Sequence, residues 1–196
     1  GASGMIDADT DWLEAYDALG DAFAGSATVG IIDTGILPTH QDLAGRVTGA
    51  LNLAFGYPTT LTQDRHSHGT HVAGIAAARG NNGLGLMGVA YAPNIKLLNA
   101  KACEWYQFQG PPGSPPVVDV GCVLSSVANA IVWATDNGAH VLNLSLGGGG
   151  GSAAQRAALQ YARSKGVLPF CATGNSSTLT TVAPVSFPAA FPECVA

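Results

Sequence analysis

At 196 residues the chain suits one domain with a real core. Apolar residues make up 47% and charged residues only 11%, which excludes a disordered chain and a basic nucleic-acid-binding module. The net charge of -5 argues against a polyanionic partner, and no apolar run reaches the roughly eighteen residues that span a bilayer, so neither nucleic acid nor membrane is an expected partner.

The first clear element is "VGIID" at 29–33, a β-branched run ending in Asp33 and a Thr-Gly turn, which reads as a buried parallel strand. After "HGTH", residues 71–79 carry alanines and apolar residues without a breaker, a helix ended by "GNNG". "IKLLNA" (95–100) is a second strand. The stretch 103–121 contains "PPGSPP", which is incompatible with a helix or a central strand and is expected to be a surface loop. "LSSVANAIVWATDNG" (124–138) is a helix, "HVLNLSLG" (140–147) a third strand, and 152–166 a helix capped by Ser152 and stopped by Gly166. "VLPFCATGN" (167–175) is a fourth strand and "ECVA" the start of a fifth. Strands alternating with helices, with no repeat and no linker, predict a single α/β domain: a doubly wound, three-layer sandwich around a mostly parallel sheet. Functional residues in such sheets gather at the carboxyl ends of the strands, where Asp33, Ser145 and Asn175 fall.

Asp33 at a strand end is either a turn-capping carboxylate or the orienter of a histidine, accepting its Nδ1 hydrogen. His66, His68 and His71 form an H-x-H-x-x-H pattern that could share a metal, yet no further His or Cys ligand is near and HExxH is absent. One histidine at a helix start suits a general base. "ATGN" (172–175) presents the Asn175 carboxamide either as a turn former or as an oxyanion donor. "SLGGGGGS" (145–152) lacks the GK[ST] ending of a phosphate loop and could pair with an extended peptide. In "RGNNGLGLMG" (79–88), amide side chains and turned-in carbonyls are hard oxygen ligands suited to Ca2+, with Asp42 as the carboxylate. The four cysteines, Cys103, Cys122, Cys171 and Cys194, have no zinc-like spacing and read as buried thiols or as disulfides of an exported protein. Twenty-six glycines and few charges favour the second, hence a secreted enzyme.

Four segments in order, "GIIDTGILPTHQDL", "HSHGTHVAGIAAA", "NLSLGG" and "ATGN", resemble the subtilisin-like serine proteases, the subtilases, over residues 29–196. The resemblance implies that Asp33 is the triad aspartate, His68 the base and Asn175 the oxyanion donor, with His71 structural. It implies that Ser145, Leu146 and Gly147 line the specificity pocket and pair with a protein or peptide substrate. Ser186 would form the pocket base, its small size leaving room for a large apolar side chain. It implies a structural Ca2+ held by Asp42, Asn82 and carbonyls such as those of Leu84 and Leu86. The family's "GTSMA"-like serine motif is absent, so residues 1–196 are expected to be the N-terminal segment of one catalytic domain, inactive alone and partnered by the remaining C-terminal part. The stretch 103–122 is longer than usual for the family, and Cys103 and Cys122, which bracket it, are expected to be bonded. Cys171 and Cys194 are left with three options: each other, burial, or cysteines elsewhere. Two rivals stand beside the endopeptidase: a dead binding scaffold, and a zinc hydrolase using His66, His68 and His71.

Overall fold

The computed structural model describes residues 12–19, 25–178 and 180–196. Five strands form one sheet: β1 (Ala27–Asp33), β2 (Val47–Asn52), β3 (Ile95–Lys101), β6 (Val141–Leu144) and β7 (Leu168–Cys171). Their order is β2-β3-β1-β6-β7, and every pairing in it is parallel. The helices are α1 (Trp12–Leu19), α2 (His68–Ala77), α3 (Leu124–Asp136) and α4 (Ala153–Ser164). This is the expected α/β class with a parallel central sheet.

Two apolar clusters sandwich the sheet, and the alternation of strand side chains assigns residues to each. Ile32, Leu98, Ala100, Leu142 and Leu144 face α3 and α4, where Val127, Ile131 and Leu159 meet them. Ile31, Ile95 and Leu97 face α2 through Ala73 and Ala77. Gly30 lets α3 sit close, since a Cβ there would come within 2.8 Å of Leu142 and 3.0 Å of Ala134. Among the described residues, α2 packs chiefly over β1 and β3. Beyond it, Leu168 and Phe170, each 42% exposed, continue the same face through their register with Val141 and Asn143.

Several boundaries differ from the sequence reading. α2 begins at His68, three residues earlier than expected, because its first turn is docked on the end of β1 rather than held by its own apolar pattern. The strands expected over 140–147 and 167–175 stop at Leu144 and Cys171, where neighbouring strands end and the chain opens into loops. "ECVA" adds a single parallel bridge, Val195 to Phe170. The expected loop over 103–121 is instead an antiparallel hairpin, β4 (Cys103–Phe108) with β5 (Val117–Cys122). The proline-rich stretch is its tip alone, where no ladder hydrogen bond is needed. A Cys103–Cys122 disulfide joins directly opposed residues with Cα atoms 4.2 Å apart, and a second bond joins Cys171 to Cys194. β2 and α1 were not anticipated.

α4 carries a full capping box: Ser152 Oγ accepts from Gln155 N–H while the Gln155 side chain accepts from Ser152 N–H. Ser152→Ala should therefore lower unfolding free energy by about 1 kcal/mol, read as a reduced urea midpoint at unchanged slope. An unaltered midpoint would show that the reciprocal bond contributes nothing.

Candidate active site

Asp33, the last residue of β1, is 1% exposed. Its carboxylate accepts Thr34 N–H at 2.7 Å, and His68 Nδ1 lies 2.8 and 3.0 Å from its two oxygens. Burial raises the carboxyl above its ordinary pKa, against the opposing pull of the His68 and Thr34 hydrogen bonds. His68 is the first residue of α2, its side chain 44% exposed. With Nδ1 occupied by Asp33, Nε2 is the nitrogen left for a reacting group. Gly69 is what allows this approach: a Cβ there would stand 2.2 Å from Gly35 O and 3.1 Å from Asp33. Its N–H donates to Thr34 Oγ1 at 2.9 Å.

The other expected site residues gather at the same end of the sheet. Ser145, Leu146 and Gly147 follow β6 directly, outside the ladder; among the described residues none of their backbone groups is hydrogen-bonded. Ser145 Oγ instead accepts from Asn143 Nδ2 at 2.9 Å, and Leu146 packs against the α3/α4 core. Asn175 lies exposed in the loop after β7, its carboxamide without a hydrogen bond among the described residues. Ser186 is tied back by its N–H to Thr173 O at 2.9 Å. Cβ atoms built on Gly174 and Gly147 would reach Ser186 at 2.7 and 3.0 Å, so both glycines are needed for this packing.

Asp42 is 2% exposed. Asn82 Nδ2 and Leu86 N–H donate to its two oxygens at 3.2 Å each, and Leu84 N–H donates to Asn82 Oδ1 at 3.1 Å. Gly85, at φ +49°, brings the loop so close that a Cβ would sit 1.9 Å from Asp42 Oδ2. No Lys, Arg or His side chain among the described residues pairs with this carboxylate. A buried carboxylate with amide donors and no cationic partner among the described residues is the one group here of a chemistry that could hold a hard cation. The three histidines behave differently. His66 and His68 have ring centroids 6.4 Å apart, but the Nδ1 of His68 is engaged by Asp33. His71 lines a cavity with Leu37 and His40, and among the described residues no three His, Cys, Asp or Glu side chains are placed to hold a metal.

Two groups near His68 escaped the sequence reading. Asp64 accepts from Thr34 Oγ1, His66 N–H, Ser67 N–H, Thr70 N–H and Thr70 Oγ1, five donors at 2.6–2.9 Å. Burial pushes its carboxyl up, but these hydrogen bonds outweigh it and hold the pKa below the ordinary carboxylate value. An aspartate four residues before the helix start is a weak signal, since capping reads the adjacent position. The second group ties the hairpin to the same loop. Buried Lys101 bonds Gln63 O at 2.8 Å and Glu104 at 2.9 Å, Arg65 stands 3.6 Å from Glu104, and the Trp105 ring lies 5.2 Å from His66.

A profile of the subtilase family matches residues 25–196. The chain is 40% identical over 168 residues to Subtilisin Savinase of Lederbergia lenta, covering 86% of this chain and 53% of that one. It is 35% identical over 188 residues to Thermitase of Thermoactinomyces vulgaris, covering 94% and 58%. With the Thermophilic serine proteinase of Bacillus sp. (strain AK1) it shares 37% over 159 residues, 81% of this chain and 35% of the other. The chain thus spans about a third to three fifths of the curated relatives it matches.

The raised pKa of Asp33 has a signed consequence for stability. The native chain holds this proton more tightly than the unfolded chain, so the associated stabilisation is present in acid and lost as pH rises through the folded value. Asp33→Asn removes that dependence. Relative to the parent, the variant should gain stability between about pH 4 and pH 7, measured as paired urea midpoints. A difference that stays flat or falls with pH would contradict the assignment of burial as the leading cause.

Proposed function

The chain belongs to the subtilase family, and on that premise we propose that it supplies the acid–base and oxyanion groups of a secreted serine endopeptidase. The observation that carries the reading is the Asp33–His68 hydrogen bond, with a buried aspartate on Nδ1 and a half-exposed ring offering Nε2. In this reading His68 Nε2 takes the proton of a serine hydroxyl as that serine attacks the scissile carbonyl, and later returns it to the leaving amine. Asp33 holds the tautomer and stabilises the imidazolium. The Asn175 carboxamide, without a hydrogen bond among the described residues, donates to the oxyanion. Ser145, Leu146 and Gly147 offer to an extended peptide backbone groups that are unpaired among the described residues, and Ser186 floors the pocket for the side chain before the scissile bond. Asp42, Asn82 and the carbonyls of Leu84 and Leu86 would hold Ca2+, which supplies the missing counter-charge and fixes the 79–88 loop.

The serine comes from the remaining C-terminal part of the protease. Support for such a partner segment is that parallel sheets are covered on both sides, yet among the described residues Leu168, Phe170 and Val195 are each 42% exposed.

The test uses the intact protein that carries this chain, with a fluorophosphonate serine probe and a peptide substrate. Labelling and turnover are expected in the parent, and His68→Ala should abolish both. Asn175→Ala should lower kcat by about 10²–10³-fold, the effect of one lost oxyanion donor. A folded parent that takes no label is a binding scaffold instead. Calcium is tested separately: chelation should lower the melting temperature, and Asp42→Asn should remove that response. A melting temperature indifferent to chelator would overturn the calcium assignment.

A further inference from the structure

We propose that Asp64 is a positioning residue that sets the Asp33–His68 hydrogen bond through Thr34 and the first turn of α2. This rests on the reading of that pair as the acid–base machinery. The two oxygens of Asp64 divide the work. Oδ1 takes His66 N–H and Ser67 N–H, the two residues before His68, both at 2.9 Å. Oδ2 takes Thr70 N–H at 2.9 Å and Thr70 Oγ1 at 2.6 Å, two residues after it. His68 is therefore held from both sides by one rigid carboxylate. This matters because Ser67, the residue at the helix boundary, sits at φ +79° and makes no side-chain cap.

The link to Asp33 runs through Thr34. Its hydroxyl gives its only hydrogen to Asp64 Oδ1 at 2.9 Å, which fixes the oxygen as the acceptor for Gly69 N–H at 2.9 Å. The backbone N–H of the same Thr34 donates at 2.7 Å to Asp33 Oδ1, the oxygen that lies 2.8 Å from His68 Nδ1. One residue thus touches the aspartate, the carboxylate of Asp64 and the residue after the histidine. An asparagine at position 64 would turn an NH2 toward donors that now meet an oxygen, either at Thr34, His66 and Ser67 or at Thr70. The first turn of α2 must then shift, and the His68 ring with it.

The intact protein, its Asp64→Asn, Thr34→Val and Thr34→Ser variants, and Asp33→Asn as reference decide the matter. Two readouts are taken: the low-field proton NMR signal of His68 Nδ1–H on Asp33, and kcat and KM on a peptide anilide. Asp64→Asn and Thr34→Val should weaken or abolish the signal and lower kcat roughly 10- to 100-fold. KM should stay within about twofold, because the substrate contacts are untouched. Thr34→Ser, which keeps the hydroxyl, should retain both signal and rate. A folded Asp64→Asn or Thr34→Val protein with the parental signal and kcat reduces Asp64 to a helix anchor and overturns the proposal. If Asp64→Asn does not fold, Thr34→Val alone decides, since it leaves four of the five donors in place. A parent that shows the low-field signal without turnover would sink the protease reading, while the NMR comparison still judges Asp64.

Discussion

Burying a carboxylate at the end of a parallel strand costs several kcal/mol unless donors surround it. Asp33 is 1% exposed, and much of the surrounding structure can be understood as the answer to that constraint. Its place on β1, the middle strand of five, removes it from water, and the N–H of Thr34 and the imidazole of His68 are brought to its oxygens. Gly69 has no side chain because α2 must enter at contact distance from Gly35 and Asp33. Asp64 then secures the turn that this close entry leaves uncapped. A histidine bound to a buried aspartate is held in one tautomer with one nitrogen outward, which is the property general-base chemistry requires.

Three further buried charged groups, Lys101, Glu104 and Asp42, are accommodated in two different ways. Lys101, fully buried, lies 2.9 Å from Glu104, and the pair is extended outward by Arg65. Burial alone would raise Glu104, but hydrogen bonds from Lys101 and Trp105 N–H, with the charges of Lys101 and Arg65, hold its pKa below the ordinary value. Asp42, by contrast, has amide donors and, among the described residues, no cationic side chain. The ion pair locks the hairpin to the loop before His68 from within the protein.

How much of this was legible depends on how local the cause is. β1, β3 and the helices over α3 and α4 are written in short-range periodicity and capping, and Asp33 and His68, singled out in the sequence as a pair, do meet in the structure. β2 was not, because "VTGALN" alternates weakly, only one of its six positions is fully buried and Gly49 interrupts it beside a register shift. The hairpin was hidden by its own tip: "PPGSPP" dominates the reading of 103–121, while the six flanking pairs from Cys103–Cys122 to Phe108–Val117 are a cross-strand property. Asp64 was invisible for the opposite reason. Its partners span Thr34 to Thr70, and nothing in the run "TQDRHS" announces that one carboxylate will collect five donors.

The Cys103–Cys122 bond also governs what a broken backbone would mean. The hairpin tip, with Pro111, Pro112, Pro115 and Pro116, is exposed, and exposed loop tips are preferred sites of proteolytic nicking. Any scission between the two cysteines leaves the pieces covalently joined at the base of the ladder, with the Lys101–Glu104 and Trp105–His66 contacts still on the anchored strand. Such a nicked molecule would gain the mass of one water, migrate as two chains only after reduction, and keep the wall beside His68. The insertion can thus tolerate wear at its most accessible point without surrendering the part that touches the site.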